Sequence, residues 1–141
     1  MQEYVIRECS SEESDLVLER LVEYNLSKVP ATQKVNYLYL NRVVEDANGK
    51  IIAGILSKMY CWNCVHIDIL WVSQEHRKHG LGTRLINEIE RISMEQGCCL
   101  IHLDTFDFQA KDFYIKHGYE IFGTLEDCPK GHMRFYMKKN L

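Results

Sequence analysis

Basic excess, long apolar runs and proline are what this 141-residue chain has least of. Its 17 lysines and arginines are outnumbered by 20 aspartates and glutamates, leaving a net charge of −3. A nucleic-acid binder needs a basic stripe to meet the phosphates, and none is present, so nucleic acid is excluded as a partner. No apolar stretch approaches the roughly 18 residues that a membrane span requires. Met1-Gln2-Glu3-Tyr4 carries no basic segment followed by an apolar run, so no secretory signal is expected. Together these absences predict a cytoplasmic protein, in which the six cysteines stay reduced. Prolines number two, Pro30 and Pro129, and there is no repeat, linker or low-complexity stretch, so residues 1–141 are expected to form one domain.

The cysteines (9, 61, 64, 98, 99 and 128) also lack the spacing of a zinc site. Cys61-Trp62-Asn63-Cys64 has no second pair to match it, and the adjacent Cys98 and Cys99 are badly placed to share a metal. No metal is therefore expected, and Trp62-Asn63 reads as a hairpin turn between apolar strand ends.

What is present is enough apolar residue, 46% of the chain, for a proper core. Residues 4–7 read as a first strand. Ser10 and Glu13 make a capping box. Behind them Leu16, Leu18, Leu21, Val22 and Leu26 recur at helical spacing, up to Pro30. Residues 29–35 read as a loop near a binding site. Residues 37–46 and 51–60 read as strands joined by an Asn48-Gly49 turn, and residues 65–72 as a third strand of the meander. Leu81, Leu85, Ile86, Ile89 and Ile92 form one apolar stripe of a helix that ends at Gly97. Residues 99–105 read as a buried strand. A second helix is expected to be capped by Asp107 and to carry Ala110, Phe113, Tyr114 and His117 on one face, up to Gly118. Two strands, 119–122 and 133–138, complete the chain. The strand–loop–helix–strand unit in the middle predicts parallel strands joined by a right-handed crossover.

The loop of that unit is Arg77-Lys78-His79-Gly80-Leu81-Gly82, followed by Thr83. A glycine-bearing loop that opens a helix offers unpaired N–H groups to an anion, which makes a phosphate ligand the natural reading. A P-loop would need a lysine before Thr83, and a dinucleotide fingerprint a third glycine where Leu85 stands. The remaining pattern, Arg-x-x-Gly-x-Gly, resembles the coenzyme A pyrophosphate loop of the GNAT superfamily of N-acetyltransferases, and residues 100–110, 118–123 and 129–132 resemble a bacterial-type group of small acetyltransferases within it. The element order matches that fold across almost the whole chain. So do Asp107-Phe108-Gln109-Ala110, Phe113-Tyr114 and Gly118-Tyr119, although the family has Asn where Asp107 stands.

The resemblance implies an α/β fold, a mixed sheet of about seven strands flanked by about four helices, and acetyl-CoA as cosubstrate. It assigns the pantetheine arm and thioester to the strand Leu70-Trp71-Val72, and the pyrophosphate to Arg77, Lys78, His79, Gly80, Leu81, Gly82 and Thr83. Arg77 braces the loop and His79 is a solvated loop residue. Asp107, Ala110 and Tyr114 complete the cosubstrate site. Tyr114 is the proton donor to the leaving thiolate, and Asp68 the base that deprotonates the acceptor. Alternation puts His66, Asp68, Leu70 and Val72 on one face, with Glu45, Asp46, His102 and Asp104 as further base candidates. The acceptor implied is a primary amine, of a small molecule or a protein, attacked directly in a ternary complex; a homodimer is also implied. Two alternatives are a non-catalytic acyl-CoA sensor, which would have no use for Tyr114, and a nucleotide-binding module.

Overall fold

A computed structural model describes residues 2–141 of the chain, which divide into two compact units, one up to Ala31 and the other Thr32–Leu141. The first unit is helix α1, Ser11–Lys28. Its start follows the capping box: Glu13 N–H donates to Ser10 Oγ at 3.2 Å, and Ser10 N–H donates back to Glu13 Oε1 at 3.0 Å. It stops just before Val29-Pro30, where the residue preceding proline is held extended. The strand expected over residues 4–7 does not form. Four β-prone residues make a strand only when a ladder partner is at hand, and here Tyr4, Val5 and Ile6 lie open to solvent. The bonds of this stretch are local, with Arg7 holding Glu8 and Glu13.

The second unit is built on a seven-stranded sheet in the order β1-β3-β4-β5-β7-β6, with β2 also paired to β3. The expected strand over residues 37–46 is broken into β1 (Tyr37–Tyr39) and β2 (Arg42–Glu45). The break has a cause in the ladder: Asn41 Oδ1 takes the Ser57 N–H at 2.9 Å, while Ser57 Oγ donates to Leu40 O at 2.6 Å. Side chains replace backbone partners, and Leu40 turns into the core. β2 and β3 (Ile51–Tyr60) are joined by the Asn48-Gly49 turn, with Asp46 Oδ1 collecting the N–H groups of Asn48 and Lys50. β4 (Cys64–Val72) returns antiparallel through the Trp62-Asn63 turn.

From β4 the chain passes a short 3₁₀ turn into α2 (Leu81–Glu95), then β5 (Leu100–Phe106), α3 (Lys111–Lys116), β6 (Glu120–Glu126) and β7 (Met133–Asn140). β4 and β5 are parallel, while β7 runs antiparallel to both β5 and β6. The inward residues Ala53, Ile55, Met59, Val65, Ile67, Ile101, Leu103 and Met137 form one cluster with Leu85, Ile86 and Ile89 of α2 and Tyr114 of α3. Burying one such aliphatic side chain contributes about 2 kcal/mol. Glu90, on the buried side of α2, accepts from Lys139 Nζ at 2.5 Å, and the same ammonium donates to His117 O at 2.8 Å. One lysine of β7 thus ties both helices to the sheet. Among the described residues no helix is long and apolar enough to cross a membrane.

Candidate functional site

The parallel ladder between β4 and β5 is short, pairing Cys64 with Leu100, Val65 with Ile101 and His66 with His102. Beyond that pair the two strands part, and a cleft of about 750 Å³ opens between them. Its walls are the end of β4, the Arg77–Gly82 loop, the end of β5, and Phe113 and Tyr114 of α3.

A β-bulge shapes the β4 wall. Ser57 pairs with Ile67 and Leu56 with Ile69, so Asp68 is the extra residue. The bulge re-phases the strand and overturns the expectation that His66, Asp68, Leu70 and Val72 share a face. Leu70 and Val72 pack against the core, Ile69 and Trp71 point outward, and Asp68 stands 71% exposed at the cleft. Past His66 the β4 backbone groups aimed toward β5 have no ladder partner, which leaves them for a ligand in the cleft.

The loop after β4 is also held in a defined shape. Arg77 Nε donates to Val72 O at 3.1 Å, bracing the turn as expected. Lys78 and Gly80 take left-handed backbone conformations, φ 67° and 78°. The first helical bond is Arg84 N–H to Gly80 O at 3.0 Å, so the N–H groups ahead of it have no helical partner. They point outward at the positive end of α2. Gly82 is where α2 meets α3: a Cβ here would lie 3.3 Å from the Phe113 ring. Thr83 Oγ1 reaches His117 Nε2 at 3.2 Å, a second tie between these helices. His79 is exposed at the loop tip and does not line the cleft.

Tyr114 lies on the opposite wall, 5% exposed, with its ring edge-on to Phe113 and Tyr119. Burial, and secondarily the Asp104 carboxylate, push its pKa up to about 12. The phenol therefore stays protonated at any physiological pH.

Asp107 departs from its expected role. α3 starts at Lys111, with Ala110 as its N-cap, too far along the chain for Asp107 to cap it. The intervening loop is tied by Gln109 Oε1, which accepts from Phe106 N–H at 2.8 Å, and by Thr105 Oγ1, which accepts from Ala110 N–H at 3.4 Å. The Asp107 carboxylate instead accepts from Met133 N–H and from His132 Nδ1, both at 2.9 Å, and these donors hold its pKa low. An acceptor-only side chain has found two donors in the β6–β7 segment.

Asp104, a base candidate from the sequence, joins Phe106, Phe108 and Arg134, to which sequence reasoning gave no part, on the outer face of the cleft. Arg134 Nη2 meets Asp104 Oδ1 at 2.7 Å, with its guanidinium over the rings of Phe106 and Tyr136. Phe108 stacks parallel to Phe106 at 5.1 Å. The alternation of β5 and β7 was a signal that could have placed Asp104, Phe106 and Arg134 together; nothing local marked Phe108.

The comparisons agree with this architecture. The model of the acetyltransferase (GNAT) family matches residues 6–119. Over 94 residues, 66% of this chain and 68% of its relative, the sequence is 35% identical to a blasticidin-S acetyltransferase of Streptomyces morookaense. An acetyltransferase from Bacillus cereus ATCC 14579 superposes with TM-score 0.87 at 39% identity, covering 98% of each chain. An aminoglycoside 6'-N-acetyltransferase complexed with coenzyme A shares the fold at TM-score 0.63 and 19% identity, over 93% of this chain and 81% of the other. The split between β4 and β5, the open N–H groups at α2 and the family match place the chain in the GNAT family of acetyltransferases.

Proposed function

We propose that this acetyltransferase moves the acetyl group of acetyl-CoA to a primary amine by direct attack within a ternary complex. The observation that carries the reading is the cleft itself: the open loop at α2 leads along the unpaired edge of β4 to Tyr114, whose ring is buried in the wall. The cleft residues fit coenzyme A. The N–H groups from Lys78 to Thr83 suit a pyrophosphate, and the parted strand edge suits an amide-bearing arm that can add to it.

The same edge offers N–H groups, at Leu70 and Val72, to the thioester oxygen as charge builds there. Trp71 and Ala110 shape the walls around the arm. Tyr114 supplies a proton to the departing sulfur. Asp68 meets the acceptor's ammonium and draws its proton. These steps use side chains and backbone alone, with no metal. The six free cysteines support a cytoplasmic setting, and the family resemblance carries a homodimer, which sedimentation reads directly.

The acceptor is a small cationic amine in this reading. Asp68 supplies the charge, and the stacked Phe106 and Phe108 supply an apolar wall. The test is thiol release from acetyl-CoA with a panel of blasticidin S, an aminoglycoside, a polyamine and a peptide amine. Turnover with at least one is expected. Tyr114→Phe should lower kcat about 10²-fold and leave acetyl-CoA binding intact. Tight acetyl-CoA binding without turnover of any amine would sink the proposal.

A further inference from the structure

The His66–His102 pair is the last rung of the parallel ladder, directly beneath the point where β4 and β5 part. Both imidazoles lie on the sheet face opposite α2 and α3, in ring contact with centroids 4.8 Å apart. His102 Nε2 is 2.8 Å from Tyr60 Oη, and His66 Nδ1 is 3.8 Å from Asp68 Oδ1, the carboxylate that the bulge lifts into the cleft. This string of groups runs from the cleft mouth to the floor of the split.

We infer that His66, with His102 beside it, is the resting place of the proton lost by the acceptor ammonium, which arrives through Asp68. The inference rests on the amine-acetylation reading above.

A carboxylate alone is a poor match for this task. Its ordinary pKa lies about six units below that of an alkylammonium, so the proton is held about a millionfold too weakly. An imidazole closes about two of those units. The balance is simple. The ammonium N–H bond breaks and an O–H bond forms on Asp68. The Asp68 side chain, 71% exposed and 3.8 Å from His66 Nδ1, must first swing to hydrogen-bond distance; the proton then passes to Nδ1 of His66, and the carboxylate is restored. The amine keeps the electron pair with which it attacks the thioester carbonyl.

The surroundings leave room for one proton on the pair. In register with the two histidines stand Lys58 on β3 and Lys138 on β7, so the row across the sheet reads Lys58, His66, His102, Lys138. The other titratable groups on this face are Tyr37 and Tyr39 of β1, Tyr60 and Cys64 in the row behind, Asp68, the Arg134-paired Asp104 and Tyr136 in front, and Glu120 of β6, 3.8 Å from Lys138. Burial and the His66 charge both disfavour protonation of His102. His102, anchored by Tyr60, remains neutral and His66 carries the proton.

The experiment is the pH dependence of kcat for wild type, His66→Gln and His102→Gln, with acetyl-CoA and whichever amine of the panel turns over fastest. At pH 7 both variants should lose about 10²-fold in kcat. The loss should shrink as pH rises, because more amine arrives already deprotonated. The KM for acetyl-CoA should not move. Imidazole in the buffer should restore His66→Ala. A loss of equal size at every pH, or no loss, overturns the inference while leaving amine acetylation intact. Failure of every amine removes the acetylation reading instead, and is told apart by the wild type alone. If His102→Gln does not fold, His66→Gln carries the same test. Independently, nitrogen-15 NMR of the imidazoles should find His102 neutral at pH 7, and a charged His102 contradicts the scheme.

Discussion

Two residues show how environment resets a side chain's part. Asp107 stands where the family resemblance leads one to expect Asn, and the carboxylate binds His132 and Met133 across the β6–β7 segment. Its pKa is held below the ordinary carboxylate value, so the stability it adds is present above about pH 4 and is lost as pH falls through the depressed value. Asp107→Asn should therefore lower the melting temperature at pH 7, and that difference should close below about pH 4. A thermal melt across that range reads it. Acetyl-CoA affinity should change little, since Asp107 does not line the cleft. Sequence reasoning named Asp107 but misjudged its partner, because that partner lies 25 residues away, beyond any local pattern. The opposite holds for Ser10 and Glu13, whose capping box was legible because both halves lie within one turn of helix.

Elements show the same division. The hairpin turn at Asn48-Gly49 and the stripe of α2 were readable because turn chemistry and 3.6-residue periodicity are local. A bulge in β4 is implied by the family resemblance, but its place at Asp68 was not readable: one extra residue leaves no mark on an apolar-rich strand, yet it turns every following side chain to the other face. Nor was the failure of residues 4–7 to form a strand, which depends on having an edge to join. Where α2 meets α3, Gly82→Ala would bring a methyl group against the Phe113 ring at 3.3 Å, so the ring must give by a few tenths of an ångström at the cleft wall. A several-fold rise in the KM for acetyl-CoA, with a smaller loss of stability, is expected from steady-state kinetics and melting. Lys139→Met should cost about 3 kcal/mol in urea unfolding, because it strands the buried Glu90 carboxylate. Replacing both residues, with Glu90→Gln added, should recover part of that loss.

At the scale of the molecule, buried acids share one direction. Burial is the leading cause of the raised pKa of Cys61, Cys64, Cys98, Tyr37, Tyr60, Tyr114 and Tyr119. The native chain thus keeps protons that the unfolded chain releases, so stability is full below about pH 9 and falls as pH rises through the raised values. Tyr114 alone, pushed up to about 12, accounts for about 3 kcal/mol of that loss between about pH 10 and pH 12. The melting temperature should drop steeply above pH 9, and Tyr114→Phe should flatten the last part of the curve. The cleft has a further consequence for how such a protein diversifies. Its donor-binding wall is drawn almost entirely from one uninterrupted stretch, residues 67–114, with Arg134 the sole contribution from later in the chain. β3 and β6 contribute nothing to that lining, so substitutions along them reach the cleft only through the strands they pair with.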